Sequence, residues 1–521
     1  MPTGPIDSGI VSVLRSERLP PLLLAVFATL GALPVVRSLI VADLNWCYPY
    51  NTADSYDWIN NGLFWAGASV APSLRPPGLP LLIAALWKLG ALPFLPVFNF
   101  LFLGLSTAAL YALLRERHDG WIAAITCWFF FANGYVQDFS RCVMAETCAT
   151  PFLILAALAL VRSARAPRAW IAFGLCLGAG FLFSYAAVPA SIGFAVALVA
   201  VARGDLRRKE LWAGLIAYAL VAGGWIAFRW SFYRAHPGGP HHGVEALLRL
   251  SIGNVFPFYV LVATALLGLV PLALYLAGML RLVRSPSPPR WRAAVLGPLI
   301  ALSLFWGFVY DWADKRFLLY TLPFLVCFLA EGLELLRDFA RNGRAAAAAS
   351  AGFLALALLW NQIRYPSGSF SLLALTPFHF LVPGLTFTPA QKAVLHLEGA
   401  KVVRLHGRFL ESFSLGLFDP YRVEVPCSIA DQGYTCLAVL KGEADRLLRP
   451  GQPVGLLTPR GWPSDYWSST QRLANVLLRP VTSPGEAEIM LAGIDAAHAD
   501  ADFTRPPFVA RCGPYVLVRM R

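Results

Sequence analysis

The sequence predicts an all-α polytopic membrane domain followed by a small mixed α/β domain, and three observations carry that reading. Apolar residues make up 57% of the 521 and charged residues only 14%, against about 45–50% and about 25% in soluble globular chains. The 43 Lys and Arg fall largely in short clusters between long apolar runs. Beyond Asn361 the apolar runs shorten and acids and bases become interspersed. So apolar a composition excludes a disordered chain, a collagen-like fibre and a disulfide-stapled mini-protein. It disfavours a soluble enzyme, which would lack the charge to cover its surface.

Taken in order, apolar stretches run over 20–42, 96–114, 120–137, 143–161, 168–184, 186–202, 211–230, 255–280, 293–311, 316–336 and 344–362. Roughly 17–25 such residues cross a hydrocarbon core of about 30 Å. A shorter stretch, 78–92, follows Pro76 and Pro77 and contains Lys88. Charge decides whether it crosses. If it does not, 18 basic residues, from Arg15 and Arg18 through to Arg337, Arg341 and Arg344, share one side. Seven face the other: Arg75, Arg141, Arg229, Arg234, Arg249, Lys315 and Arg316. The positive-inside rule then gives about eleven spans from a cytoplasmic N-terminus, with 78–92 as a juxtamembrane helix at the outer interface. The first span is longer than a signal-peptide core and no small-x-small site follows it, so it reads as a retained signal anchor in the cytoplasmic (inner) membrane.

The chain therefore divides into a transmembrane domain, 1–362, and an extracytoplasmic domain, 363–521, placed outside by the odd number of spans. In the second, 401–405, 421–425, 435–440, 453–457 and 514–519 have the pattern of strands, and 465–478 that of a helix. Of nine cysteines, Cys127, Cys142, Cys148, Cys176 and Cys327 lie in or beside spans, where the thiol is a small apolar filler. Cys427 and Cys436 could pair in an oxidising compartment, although spacing alone does not decide it.

The net charge of +13 acts chiefly as an orientation signal toward anionic lipid. With no zinc spacing, aromatic RNA-binding motif or basic arm, no nucleic-acid partner is expected. The loop 231–254 is rich in Gly and Pro and could close over a substrate. Its His236, His241 and His242 lack the spacing of a metal site and read as solvated. No nucleophile elbow, Walker loop or Rossmann fingerprint occurs in a usable context.

Chemistry concentrates at the outer face. The first outer loop, 43–76, holds Asp43, Asp54 and Asp57, with Arg75 at the membrane re-entry. Asp54 opens an amphipathic run containing Trp58, and Arg75 precedes Pro76, Pro77 and an apolar segment. Glu146 stands at the outer end of a span in VMAETCATPFL, Trp225 and Arg229 in GGWIAFRW, and Arg316 and Phe317 in DKRFLLYTLPFL. In order and spacing these residues resemble the GT-C superfamily of membrane glycosyltransferases over roughly 40–335, particularly the branch of lipid A aminoarabinose transferases and protein O-mannosyltransferases. There are departures. Ser55 follows Asp54 where the family often has Glu, and Leu74–Arg75 replaces the Glu-Lys of aminoarabinose transferases, removing a possible zinc ligand.

The resemblance implies transfer of a single sugar from a polyprenyl-phosphate-linked donor to an acceptor hydroxyl, amine or phosphate at the outer face, with inversion. The chemistry agrees with the residues present. Asp54 is the candidate general base. Arg75, Arg229 and Arg316 are candidates for the donor phosphate, whose developing charge lipid cannot stabilise. Glu146, Asp57 and Trp58 are candidates for orienting the acceptor, which the resemblance leaves as a lipid or glycan, lipid A modification included. Blander roles stay open: Arg229 and Arg316 could anchor span ends by snorkelling, and Glu146 could pair with Arg141. No cofactor or bound metal is implied, although a divalent cation is compatible. The alternative function is a transporter or flippase of a lipid-linked or small polar substrate. Paired broken spans and mid-membrane charges would mark it, and the acids here sit at one face instead.

Overall fold

The computed structural model describes residues 17–26, 28–29, 58, 61–67, 74–91, 94–133, 136, 140, 143–235, 269–284, 288–309 and 315–363 of the first part. Of the second it describes 401–404, 421–424, 443–444, 446–449, 452–457, 481–482, 486–493, 508–512 and 515–520. The first part is helical: α1 (Gly78–Lys88), α2 (Leu95–Leu114), α3 (Gly120–Phe131), α4 (Ala145–Arg162), α5 (Ala169–Phe183) and α6 (Ala187–Val201). There follow α7 (Lys209–Ala235), α8 (Leu269–Arg284), α9 (Pro289–Leu304), α10 (Leu318–Ala340) and α11 (Arg344–Ile363).

Among the described helices, five are long and apolar enough to cross a membrane: those containing Val97–Leu114, Ala145–Arg162, Lys209–Ala235, Pro289–Val309 and Leu318–Ala340. The stretches 120–137, 168–184 and 186–202, expected to span, hold helices of 12 to 15 residues. At about 1.5 Å per residue these reach roughly 18–23 Å. The first expected span is described only to Thr29, and the eighth only from Leu269. Helix α1, with 11 residues, is too short to cross, in keeping with the juxtamembrane placement of 78–92.

The helix ends follow local chemistry. Asp119 caps α3 by accepting from the backbone N–H groups of Trp121 and Ile122 at 2.9 and 3.0 Å, which satisfies donors the first turn cannot. Proline stands in the first turn of α2 and of α9, where no backbone donor is needed. Lipid offers little apolar driving force between helices, so close backbone approach supplies the packing. A Cβ on Gly174 would lie 1.9 Å from the carbonyl oxygen of Gly214, which locks α5 onto α7. One on Gly193 would lie 2.2 Å from that of Gly297, joining α6 to α9.

The two ends of the bundle differ. Where α4 and α10 finish, bases and acids interlock: Glu331, with no exposed surface, pairs with Arg117 and lies 3.4 Å from Arg281 Nε. His118 Nδ1 is 3.2 Å from Glu334, Arg337 pairs with Asp119 and Glu334, and Glu116 joins Arg162 and Arg165 at 2.7 Å each. Where α4 and α10 begin, the polar groups among the described residues form the candidate site.

In the second part seven short strands appear among the described residues: β1 (Lys401–Arg404), β2 (Tyr421–Glu424), β3 (Val454–Leu457), β4 (Val481–Thr482), β5 (Ile489–Gly493), β6 (Phe508–Cys512) and β7 (Tyr515–Arg519). β1 and β2 pair antiparallel, and the others form a mixed sheet in the order β4-β3-β5-β7-β6. β3 runs parallel to β4 and β5, while β7 runs antiparallel to β5 and β6. Four strands fall where the sequence pattern puts them, and β4, β5 and β6 do not announce themselves. The expected strand 435–440, the expected helix 465–478, Cys427 and Cys436 lie outside the described residues.

Candidate active site

The Leu74–Pro77 segment enters α1 with its backbone tied at two points. The Arg75 N–H donates to Asn61 Oδ1 at 2.9 Å, and the Leu74 N–H donates to the Tyr233 hydroxyl at 3.0 Å, 159 residues along the chain. Those two bonds fix where the Arg75 side chain starts. Its guanidinium lies 5.0 Å from the ring centre of Trp58. Trp58 is itself buried in an apolar cluster with Leu79, Ile83, Met144 and Ala145, which joins the first loop to the start of α4.

Arg229 stands near the end of α7, and its guanidinium lies 5.5 Å from the ring of Tyr185 and 5.2 Å from that of Tyr233. Such cation–ring contacts are each worth about 0.5–2 kcal/mol. Tyr233 thus touches both the Arg75 segment and Arg229. Tyr185 lies in the link Ser184–Ala186 between α5 and α6, and its hydroxyl accepts from Trp225 Nε1 at 3.0 Å. Beside these groups is an apolar groove of about 410 Å³ lined by Trp65, Pro77, Leu81, Leu182, Trp225 and Phe228, among others.

Arg316 and Glu146 form the other half. Arg316 Nε lies 3.5 Å from Glu146 Oε1, both side chains being largely buried, and Arg316 Nη1 lies 4.0 Å from Met144 Sδ. Phe317 stacks on Trp306 with ring centres 4.0 Å apart. One turn into α10, the Tyr320 hydroxyl is 2.6 Å from Ser184 Oγ. Because Ser184 and Tyr185 are neighbours, this bond ties the Arg316–Glu146 half to the Arg229 half.

The structure therefore gathers Trp58, Arg75, Glu146, Arg229 and Arg316 at one end of the bundle. Asp54 and Asp57 lie outside the described residues. Glu146 pairs with Arg316; the expected alternative partner, Arg141, lies outside the described residues. Sequence reasoning missed Asn61, Tyr185 and Tyr233. The pair Ser184–Tyr185, a polar break between two apolar helices, carries a faint signal; the Tyr233 contact to Leu74 carries none. Among the described residues no group of three or more His, Cys, Asp or Glu is placed to hold a metal ion.

Residues 74–227 match the family model of dolichyl-phosphate-mannose-protein mannosyltransferases. The fold is similar to that of ArnT from Cupriavidus metallidurans bound to undecaprenyl phosphate, with a TM-score of 0.55, 14% identity and coverage of 94% of this chain and 98% of that one. The same ArnT in its apo state gives a TM-score of 0.53 at the same identity and coverage. No curated protein matches the chain. These likenesses bear out the resemblance drawn from the four motifs: the chain has the fold of the GT-C membrane glycosyltransferases.

Proposed function

We propose that the protein is a glycosyltransferase that moves one sugar from a polyprenyl-phosphate carrier to an acceptor at the outer face of the cytoplasmic membrane, with inversion. One observation carries the reading: Arg75 and Arg229, joined through Tyr233, stand beside an apolar groove. A lipid phosphate has those two parts, an anionic head and an apolar tail. The ArnT relative, which shares this fold, holds undecaprenyl phosphate. A transporter of small polar substrates would have no use for an apolar slot leading to two cations.

In the proposed reaction the acceptor's nucleophilic atom attacks the anomeric carbon while the bond from that carbon to the phosphate oxygen breaks. Asp54 takes the acceptor's proton, and the bonding pair leaves on the phosphate. Arg75 and Arg229 stabilise the charge gathering there, beside an apolar groove. Arg316 pairs with Glu146 beside the same space, and the carboxylate orients the acceptor. The basic-rich end of the bundle, with Arg162, Arg165, Arg281 and Arg337, is the cytoplasmic one on the positive-inside rule, so the site faces outward.

The test is turnover by purified protein in detergent, offered a panel of polyprenyl-phosphate sugars with candidate lipid and glycan acceptors. Release of free polyprenyl phosphate, abolished in a folded Asp54→Asn variant, is the expected result. No release from any donor, with no binding of polyprenyl phosphate, would overturn the reading.

A further inference from the structure

The three-residue link between α5 and α6 is held more firmly than a connection requires. Ser184 Oγ accepts from the Ala186 N–H at 3.2 Å and bonds with Tyr320 at 2.6 Å. That sets the backbone from which Tyr185 projects. Its ring lies under the Arg229 guanidinium. Its oxygen takes the indole N–H of Trp225, a group that can only donate. The acceptor side of the phenol is thereby occupied, and its own proton has no acceptor among the described residues.

Among the described residues, the charged side chains acting on that phenol are of one sign. They are Arg229 and Arg75. Burial nonetheless pushes its phenol above the ordinary value, with Arg229 and Arg75 opposing, so the group stays protonated and able to donate at neutral pH. Arg229 Nε, also shielded from solvent, has no hydrogen-bond partner among the described residues. Two guanidinium groups and an O–H, at the edge of an apolar groove that Trp225 helps to line, make a receptor for a tetrahedral oxyanion carrying an apolar tail.

We infer that Tyr185 is a phosphate-binding residue, donating its hydroxyl hydrogen to an oxygen of the donor lipid's phosphate while Trp225 fixes the direction of the phenol. The inference rests on the lipid-phosphate reading above and adds to it a neutral ligand that the arginines cannot replace. A guanidinium fork attracts any nearby anion, whereas a hydrogen bond from a held phenol requires an oxygen at one place.

The test uses the full-length protein in detergent and compares binding of farnesyl phosphate with binding of farnesol. Tyr185→Phe keeps the ring beneath Arg229 and removes only the hydroxyl. Its affinity for farnesyl phosphate should fall about 10-fold, the order expected of one hydrogen bond to a charged group, with farnesol binding unchanged. A second measurement retains the hydroxyl. Tyrosine fluorinated on the ring at position 185 ionises at lower pH, so its binding of farnesyl phosphate should weaken between neutral and mildly alkaline pH where the unmodified protein's does not. If the unmodified protein binds farnesyl phosphate no better than farnesol, the lipid-phosphate reading fails and this inference with it. If it discriminates, and Tyr185→Phe discriminates equally, Tyr185 alone is wrongly assigned.

Discussion

Arg316 and Glu146 face one another across 3.5 Å between the turn that opens α10 and the first turn of α4, each with a side chain only 9% exposed. Ionic groups this far from water are costly to bring in and costlier to leave alone. Glu146→Ala should therefore destabilise the fold by about 3–5 kcal/mol, because a buried guanidinium loses its counter-charge. Replacing both residues with Gln and Met should recover part of that loss. Thermal unfolding of the parent and the two variants in one detergent measures it. A single variant as stable as the parent would show that the pair contributes nothing to the fold.

Arg75 and Arg229 should fail differently from that pair. Both are partly exposed and lie against aromatic rings, so truncating them costs the fold less than opening a buried ion pair. Arg75→Ala and Arg229→Ala should keep their melting temperatures yet lose about 10- to 100-fold in kcat/KM for the lipid-linked donor, as expected for losing a charge-assisted bond to phosphate. Lys at either position should restore part of the activity, since it keeps the charge and loses the planar fork. Unchanged donor kinetics in both Ala variants would remove the arginines from the site.

How much of this was legible depends on what kind of contact fixes each residue. Helix α2 runs from Pro96 in its first turn to Arg115, and α10 lies between Arg316 and Arg341, so the expected 96–114 and 316–336 lie close to Leu95–Leu114 and Leu318–Ala340. Arg75, Glu146, Arg229 and Arg316 stand out because a charge at the end of an apolar run is conspicuous. Glu331 and Glu334 were hidden inside what reads as the last turns of a span. Their partners Arg117, His118 and Arg281 come from other helices, and one sequence does not show those pairings. Tyr185 was hidden for the opposite reason: an aromatic in an apolar chain attracts no notice until its neighbours prove to be cations.

The carboxylate of Glu331 is fully buried between Arg117 and Arg281 at the end of the bundle opposite the site. Glu331→Ala should lower stability by about 3–5 kcal/mol while leaving affinity for farnesyl phosphate in the surviving folded protein unchanged. Loss of lipid binding in a variant that still melts cooperatively would mean that the two ends are coupled. The same end supplies the test of sidedness. In a variant whose nine native cysteines are replaced, a cysteine introduced at Ser285 should react with a membrane-impermeant reagent only after the membrane is opened. Labelling in intact cells would turn the whole arrangement over.

The proton is the remaining test of mechanism, and it separates binding from chemistry. In the proposed reaction Arg75, Arg229 and Tyr185 bear on the carrier's phosphate, whereas Asp54 bears on the acceptor. Asp54→Asn keeps size and hydrogen bonding but cannot take a proton at neutral pH, so transfer should fall by about 10²–10⁴-fold, the span of general base catalysis. Binding of the carrier should be preserved, because an amide removes a negative charge from the neighbourhood of a phosphate; affinity for farnesyl phosphate should be equal or slightly higher. The two measurements must diverge. If transfer and carrier binding fall together, Asp54 shapes the donor site and the base lies elsewhere, with Asp57 the next residue to replace. If transfer is untouched, the acceptor loses its proton to another group or to water, and the loop carboxylate has no part in the reaction.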